Sequence, residues 1–342
     1  MVIFELPATR HGSDLRAAAL GSCRVRNPLF VLRDRGDLRI RAEGPTPTHT
    51  AAEALQSLAV ALGERAIPDA LGSYVFESDP APSADRLARA LREGIDVFVL
   101  EISDDKQFSY GDICLNQNFV SRNLVQAHRG ALLDWYREIC RGRHAEESSV
   151  QTALGKLRDS GARHDESMAA LLRGIKLERG DGPQIAETLG ALTAKMGGRW
   201  IVIGLFAIPG DEGDVMRRRR AFNEALSVAA THCGALFYDP SQLLFSHGAA
   251  TALAGGGVDI YEYAESFYPT VGETLVALAR DLGPPRRRPA APIAAPAPAT
   301  APTSHRVRLG WAIRLEAKGS KFARRVRRVI RKIARGAAKL GR

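Results

Sequence analysis

Short apolar runs alternate with amphipathic stretches along most of the chain. "AAALGS" is a brief apolar run that stops at Gly21 and Ser22. "DRLARALREG" follows the helical period, with Leu87 and Leu91 four residues apart. "IDVFVLEIS" is continuous and rich in β-branched residues, the pattern of a strand covered on both faces. "NFVSRNLVQAHRGALLDWYREIC" predicts one long helix, and "PQIAETLGALTAKMG" another that stops at Gly197 and Gly198. "RWIVIGLFAI" is the clearest buried strand. "DVMRRRRAFNEALSVAATHCG" then predicts a helix, "ALFYDPS" a short strand, and "TVGETLVALARDL" a closing helix. Strands separated by helices predict an α/β fold, a three-layer α/β/α sandwich around a mostly parallel sheet. The stretch 142–182 is polar and weakly patterned, and reads as an insertion or lid on a body that spans 1–282.

The pattern changes at residue 283. Residues 283–305 are a Pro/Ala-rich linker that cannot bury a core. In 306–342, Phe322, Val326, Val329, Ile330, Ile333, Ala337 and Leu340 recur at three- and four-residue steps among Lys and Arg. This predicts a basic amphipathic helix. Its natural partner is an anionic membrane surface. Nucleic acid is the weaker alternative, because an apolar stripe adds nothing to phosphate binding. The net charge of +10 divides sharply: from 283 onward 17 Lys and Arg face one acid, Glu316, and the rest of the chain is mildly acidic.

The N-terminus carries no secretory pattern, and no apolar run approaches the roughly 18 residues of a membrane span. The four cysteines (Cys23, Cys114, Cys140, Cys233) form no CxxC pair. A reduced, cytoplasmic protein without a bound metal is expected, peripheral to an inner membrane if the tail binds there.

Ligands of open α/β sheets bind beyond the carboxyl ends of the strands. That rule selects Gly21-Ser22-Cys23-Arg24, the stretch from Glu101 to Asp105 with Asp104 in it, Pro209 to Asp211, and Asp239 to Ser241. Ser22 and Cys23 are adjacent nucleophile candidates. Cysteine needs less activation, and Arg24 beside it is expected to favour the thiolate. His49, in "TPTHTAAEAL", precedes a helix that Thr48 or Thr50 can cap, and is the first candidate base. His247, in "LLFSHGAA", is the second. Arg24 suits an anionic substrate, and Glu101 with Asp104 suits sugar hydroxyls.

The serial order of these segments resembles the SGNH/GDSL hydrolase superfamily, in particular its GSCFA-type and capsule-polysaccharide branches. "GSC" looks like the opening block, "VFVLEIS" the strand into the third block, and "ESFYPTVGETL" the last block before the final helix. The resemblance covers about residues 15–282 and implies a flavodoxin-like sheet with Ser22 at the nucleophile corner and Cys23 as fallback. It puts Glu265 at the acid position and Tyr268 where a histidine belongs. A tyrosine, with an ordinary pKa of about 10, is a poor base at neutral pH. "EISDDK" stands where the family has Gly-x-Asn, so Asn116 or Asn118 would have to serve the oxyanion. The implied activity is an esterase or acyltransferase acting on an acylated saccharide. It would need no cofactor beyond acyl-CoA as a possible donor. The competing expectation is a degenerate relative that binds a glycan without turning it over.

Overall fold

The apolar runs become strands β1 (Val2–Leu6), β2 (Leu15–Leu20), β4 (Val97–Glu101), β8 (Arg199–Ile203) and β9 (Leu236–Tyr238); β3 (Arg39–Glu43) joins them at one edge. In this computed structural model residues 1–282 are described, except 9–13, 45–46, 78–80, 129, 143, 163, 181, 209–210, 212 and 258, and except the side chains of 81–83. The six strands form one sheet in the order β3-β1-β2-β4-β8-β9. From β2 to β9 every pairing is parallel, whereas β1 runs antiparallel to both β2 and β3. The mostly parallel sheet is as expected; the antiparallel edge is not. β1 is only five residues long and β3 is a charged edge strand, so neither shows a strong period.

β4 lies at the centre and is buried along its whole length. Its side chains alternate between two covered faces. On one face Phe98 and Leu100 join Leu20, Trp200 and Val202 in a core closed by helices Ala51–Ala61 (α2), Ala81–Arg92, Gly182–Met196 and Asp214–His232. Phe98 and Trp200 stack there with ring centroids 4.5 Å apart. The other face is covered by α1 (Cys23–Asp34) and the closing helix Tyr268–Leu282. These two helices cross closely at Gly272, where a Cβ would stand 2.8 Å from the Pro28 carbonyl oxygen. That contact fixes the first half of the closing helix against the middle of α1.

A second lobe grows from the end of β4. Strands β5 (Lys106–Tyr110), β6 (Ile113–Leu115) and β7 (Ile175–Arg179) form an antiparallel sheet in the order β6-β5-β7. Helices Leu133–Gly142, Glu147–Asp159 and Glu166–Gly174 pack on it around Phe108, Trp135, Ile139 and Leu157. The segment 142–182 is therefore part of a larger unit with its own core, begun at residue 106. The expected single helix through 118–140 is broken. A π-helical stretch, Val120–Gln126, is followed by a reversal in which Gly130 adopts φ 81°, and Leu133–Gly142 starts afresh. Among the described residues no helix is long and apolar enough to cross a membrane. The Pro/Ala segment and the basic tail lie outside the described residues.

Candidate active site

Parallel pairing of β2 with β4 sets Leu20 beside Leu100, so the next residues, Gly21 and Glu101, meet. A Cβ on Gly21 would stand 2.8 Å from Glu101 Cβ and 2.9 Å from its Oε2, which explains the glycine. Ser22 then caps α1, its hydroxyl accepting the Arg24 N–H at 3.2 Å. Ser22 also donates twice to Glu101 Oε2, from N–H at 2.8 Å and from Oγ at 2.7 Å. The second Glu101 oxygen pairs with Arg24 Nε at 2.7 Å, and the guanidinium lies over the Phe206 ring. All three side chains are buried. Glu101 and Arg24 thus form the floor of the site, and the Ser22 hydroxyl is committed to holding it.

Cys23, the first residue of α1, reaches the wall above that floor. Its thiol donates to Glu262 Oε2 across 3.6 Å. Glu262 Oε1 accepts the Tyr268 hydroxyl at 3.0 Å, and Asn27 Nδ2 donates to the Tyr268 oxygen at 3.4 Å. The backbone of Glu262 is pinned by Ala254 N–H and by a bridge between Leu253 and Tyr263. Burial, followed by the charges of Glu262 and Glu101, pushes the Cys23 thiol up to about 11. This corrects the expectation that Arg24 favours the thiolate: its charge is matched by Glu101, and its pull is the weakest of the influences on the sulfur.

His49 faces the cleft from the turn before α2. Thr50 is the helix cap, accepting Glu53 N–H at 3.2 Å. The His49 carbonyl accepts the N–H groups of Ser103 and Asp104, which ties this turn to the end of β4. On the ring, Nδ1 lies 2.8 Å from Ser103 Oγ and Nε2 lies 3.3 Å from Asn118 Nδ2. With the Asn118 amide assigned as donor, Nε2 carries the lone pair and Nδ1–H donates to Ser103. Burial holds the imidazole pKa below its ordinary value; Glu101 opposes this and Arg24 assists it. His49 is therefore neutral at neutral pH, with its basic nitrogen on the Asn118 side. Behind it, buried Glu53 accepts the His49 N–H at 2.8 Å, and burial pushes its carboxyl up to about 8. Burial likewise pushes Asp104 up to about 6, against the pull of Lys106.

Together Cys23, His49, Ser103, Asp104, Asn118 and Glu262 face a cleft of about 480 Å³. Ser22 and Arg24 form its base. Several residues expected at the site support it or lie elsewhere. Gly21 and Glu101 sit beneath it. Asn116 is buried outside the cleft, its oxygen accepting Asn118 N–H and its Nδ2 donating to the Pro47 carbonyl, so it is no oxyanion donor. Asp239 caps the helix Ser241–His247 through Ser241 N–H. His247 packs edge-on against Phe267, with centroids 5.1 Å apart, and does not face the cleft, which removes it as the base. Glu265 is exposed. The carboxylate that reaches Tyr268 is Glu262, six residues before the tyrosine, and it did not stand out in the sequence; Ser103 lay within the selected strand-end stretch but was given no role. Their only signal was position: Ser103 closes the apolar run of β4, and Glu262 interrupts an aromatic-rich approach to the last helix.

An open, mostly parallel sheet with a polar cleft at its carboxyl edge, and adjacent hydroxyl and thiol side chains at the first helix start, defines an α/β protein of the strand-end-site class. The chain belongs to the TviD N-terminal domain family, which matches residues 15–278. It is 25% identical over 269 residues to the Vi polysaccharide biosynthesis protein TviD of Salmonella typhi, a match covering 76% of this chain and 30% of that relative. The chain thus spans less than a third of that relative's length. The expected resemblance is borne out in its coarser part, a similarity to a polysaccharide biosynthesis protein. No solved structure gives a significant match.

Proposed function

We propose that this domain modifies a saccharide or polysaccharide precursor by acyl chemistry, hydrolysing or transferring an ester-linked acyl group as SGNH/GDSL enzymes do. The observation that carries this reading is the facing pair of a nucleophile corner, Ser22–Cys23, and a neutral His49 whose Nδ1 is held by Ser103. An imidazole oriented in this way can take a proton on Nε2 from water or from an acceptor hydroxyl. Asp104 and Asn118 on the same walls suit sugar hydroxyls. Acyl-CoA is the candidate donor for transfer. The test supplies p-nitrophenyl acetate or acetyl-CoA to the full chain, with and without Ser22→Ala plus Cys23→Ala. Unchanged activity in the double variant would remove the proposed corner.

A second reading, a glycan-binding protein without turnover, is favoured by one feature: on the SGNH/GDSL resemblance, Tyr268 falls where that superfamily has a histidine. Saccharide binding with no acyl release from any acetylated ligand would select it. The basic stripe of 306–342 carries a further proposal, that the protein works at the cytoplasmic face of an anionic membrane. The full chain is expected to co-sediment with anionic vesicles at low salt and to be released as salt rises. Equal binding to neutral vesicles, or none to anionic ones, would discard that proposal.

A further inference from the structure

We infer that Cys23 is the residue that carries the acyl group and that Glu262 takes its proton, with Tyr268 positioning the carboxylate. The inference rests on the acyl-transfer reading and names the machinery for it. Glu262 lies outside the segment that the family resemblance selects for the acid and base.

Four observations converge. Ser22 Oγ directs its proton at Glu101, a carboxylate already neutralised by Arg24, and its oxygen is occupied by the Arg24 N–H. Cys23 instead faces the cleft, and its thiol proton points at Glu262. Glu262 forms no ion pair with any cation among the described residues; its oxygens meet only the thiol and the Tyr268 hydroxyl. That leaves it free to accept a proton. Finally, Arg24 Nη2 is buried without an acceptor, although Arg24 lines the cleft beside Cys23. A buried cationic N–H without a protein partner lacks an oxygen, and a substrate carbonyl that becomes an oxyanion supplies one.

The step balances as follows. The sulfur attacks the acyl carbonyl carbon while the thiol proton passes to Glu262 Oε2, and the carbonyl π pair moves onto oxygen beside Arg24. Collapse of this intermediate breaks the ester C–O bond. The proton on Glu262 passes to the departing sugar oxygen, leaving a Cys23 thioester. Water or an acceptor hydroxyl then gives its proton to His49 Nε2 and attacks the thioester. The C–S bond breaks, and the imidazolium proton returns to the sulfur. The resting thiol is protonated, so proton removal accompanies attack rather than preceding it.

This arrangement predicts opposite effects from one substitution. In the full chain, Glu262→Gln removes the negative charge beside the thiol, so iodoacetamide should alkylate Cys23 about tenfold faster at pH 8. The same variant should lose about 100-fold or more in p-nitrophenyl acetate turnover, the scale of a lost general base. Tyr268→Phe should lower kcat while leaving KM unchanged. Intact mass should show an acetylated wild-type protein that Cys23→Ala abolishes. Thermal melting checks that the variants fold; Glu262→Asp, expected to restore part of the turnover, covers a failure of Glu262→Gln to fold. Turnover that survives Cys23→Ala overturns the inference and leaves acyl transfer to Ser22. Alkylation that does not accelerate in Glu262→Gln also overturns it. A wild type inert toward both p-nitrophenyl acetate and acetyl-CoA overturns the acyl-transfer reading and the inference with it.

Discussion

Two carboxylates meet neighbouring residues at the start of α1, and they do opposite work. Glu101 binds Ser22 and is neutralised by Arg24 at 2.7 Å, with both partners buried. Glu262 binds Cys23 and, among the described residues, receives only a tyrosine hydroxyl on its other oxygen. A buried carboxylate locked in an ion pair is committed to positioning its neighbours. A carboxylate without a cation remains available to a proton. On the proposed mechanism, counter-charge sets the reactive half of the corner, and not which residue is the better-known nucleophile.

The largest expected effect tests the locked half. Glu101→Gln leaves the Arg24 charge buried and unpaired and should cost about 3–5 kcal/mol of stability in denaturant unfolding. A near-neutral result would mean that the floor is not built on this pair. Next is the cleft wall. His49→Gln should lower turnover about 100-fold or more with an unchanged melting temperature; retained activity would assign His49 to structure alone. Gly272→Ala drives a methyl group into the Pro28 carbonyl and should cost about 1–3 kcal/mol. It should also loosen Tyr268 from Asn27, so activity should fall more steeply than stability. The smallest effect concerns Glu53. Its carboxyl keeps a proton in the folded state up to about pH 8, whereas the unfolded chain releases it near 4.5. Stability from this group is therefore full below pH 4.5 and is lost as pH rises toward 8. Glu53→Gln removes that slope. Its melting temperature relative to wild type should rise between pH 5 and pH 8.5, and a flat difference would contradict the buried protonated carboxyl.

The parallel part of the sheet was legible in the sequence because buried parallel strands announce themselves as continuous apolar runs, as in β4 and β8. The second lobe was not. Its strands are short, half-polar and separated by more than 60 residues, so no local pattern joins β5 to β7. The nucleophile corner and His49 were found from Gly21-Ser22-Cys23 and from a capped helix start. Glu262 was missed because spacing along the closing segment favours Glu265, while the chain before the closing helix turns and places the earlier carboxylate inward. Arg24 was read as a bare charge beside the thiol, and its neutralising partner lay 77 residues away on β4.

Cys23 and Glu262 are 239 residues apart. The first is held at the start of the first helix and the second just before the last, and the Gly272 crossing brings those helices together. During synthesis, the thiol emerges long before its carboxylate. A chain interrupted anywhere in the second lobe has the cysteine but no complete site. The proposed site is thus a late property of this body, complete only once its two ends have closed on each other.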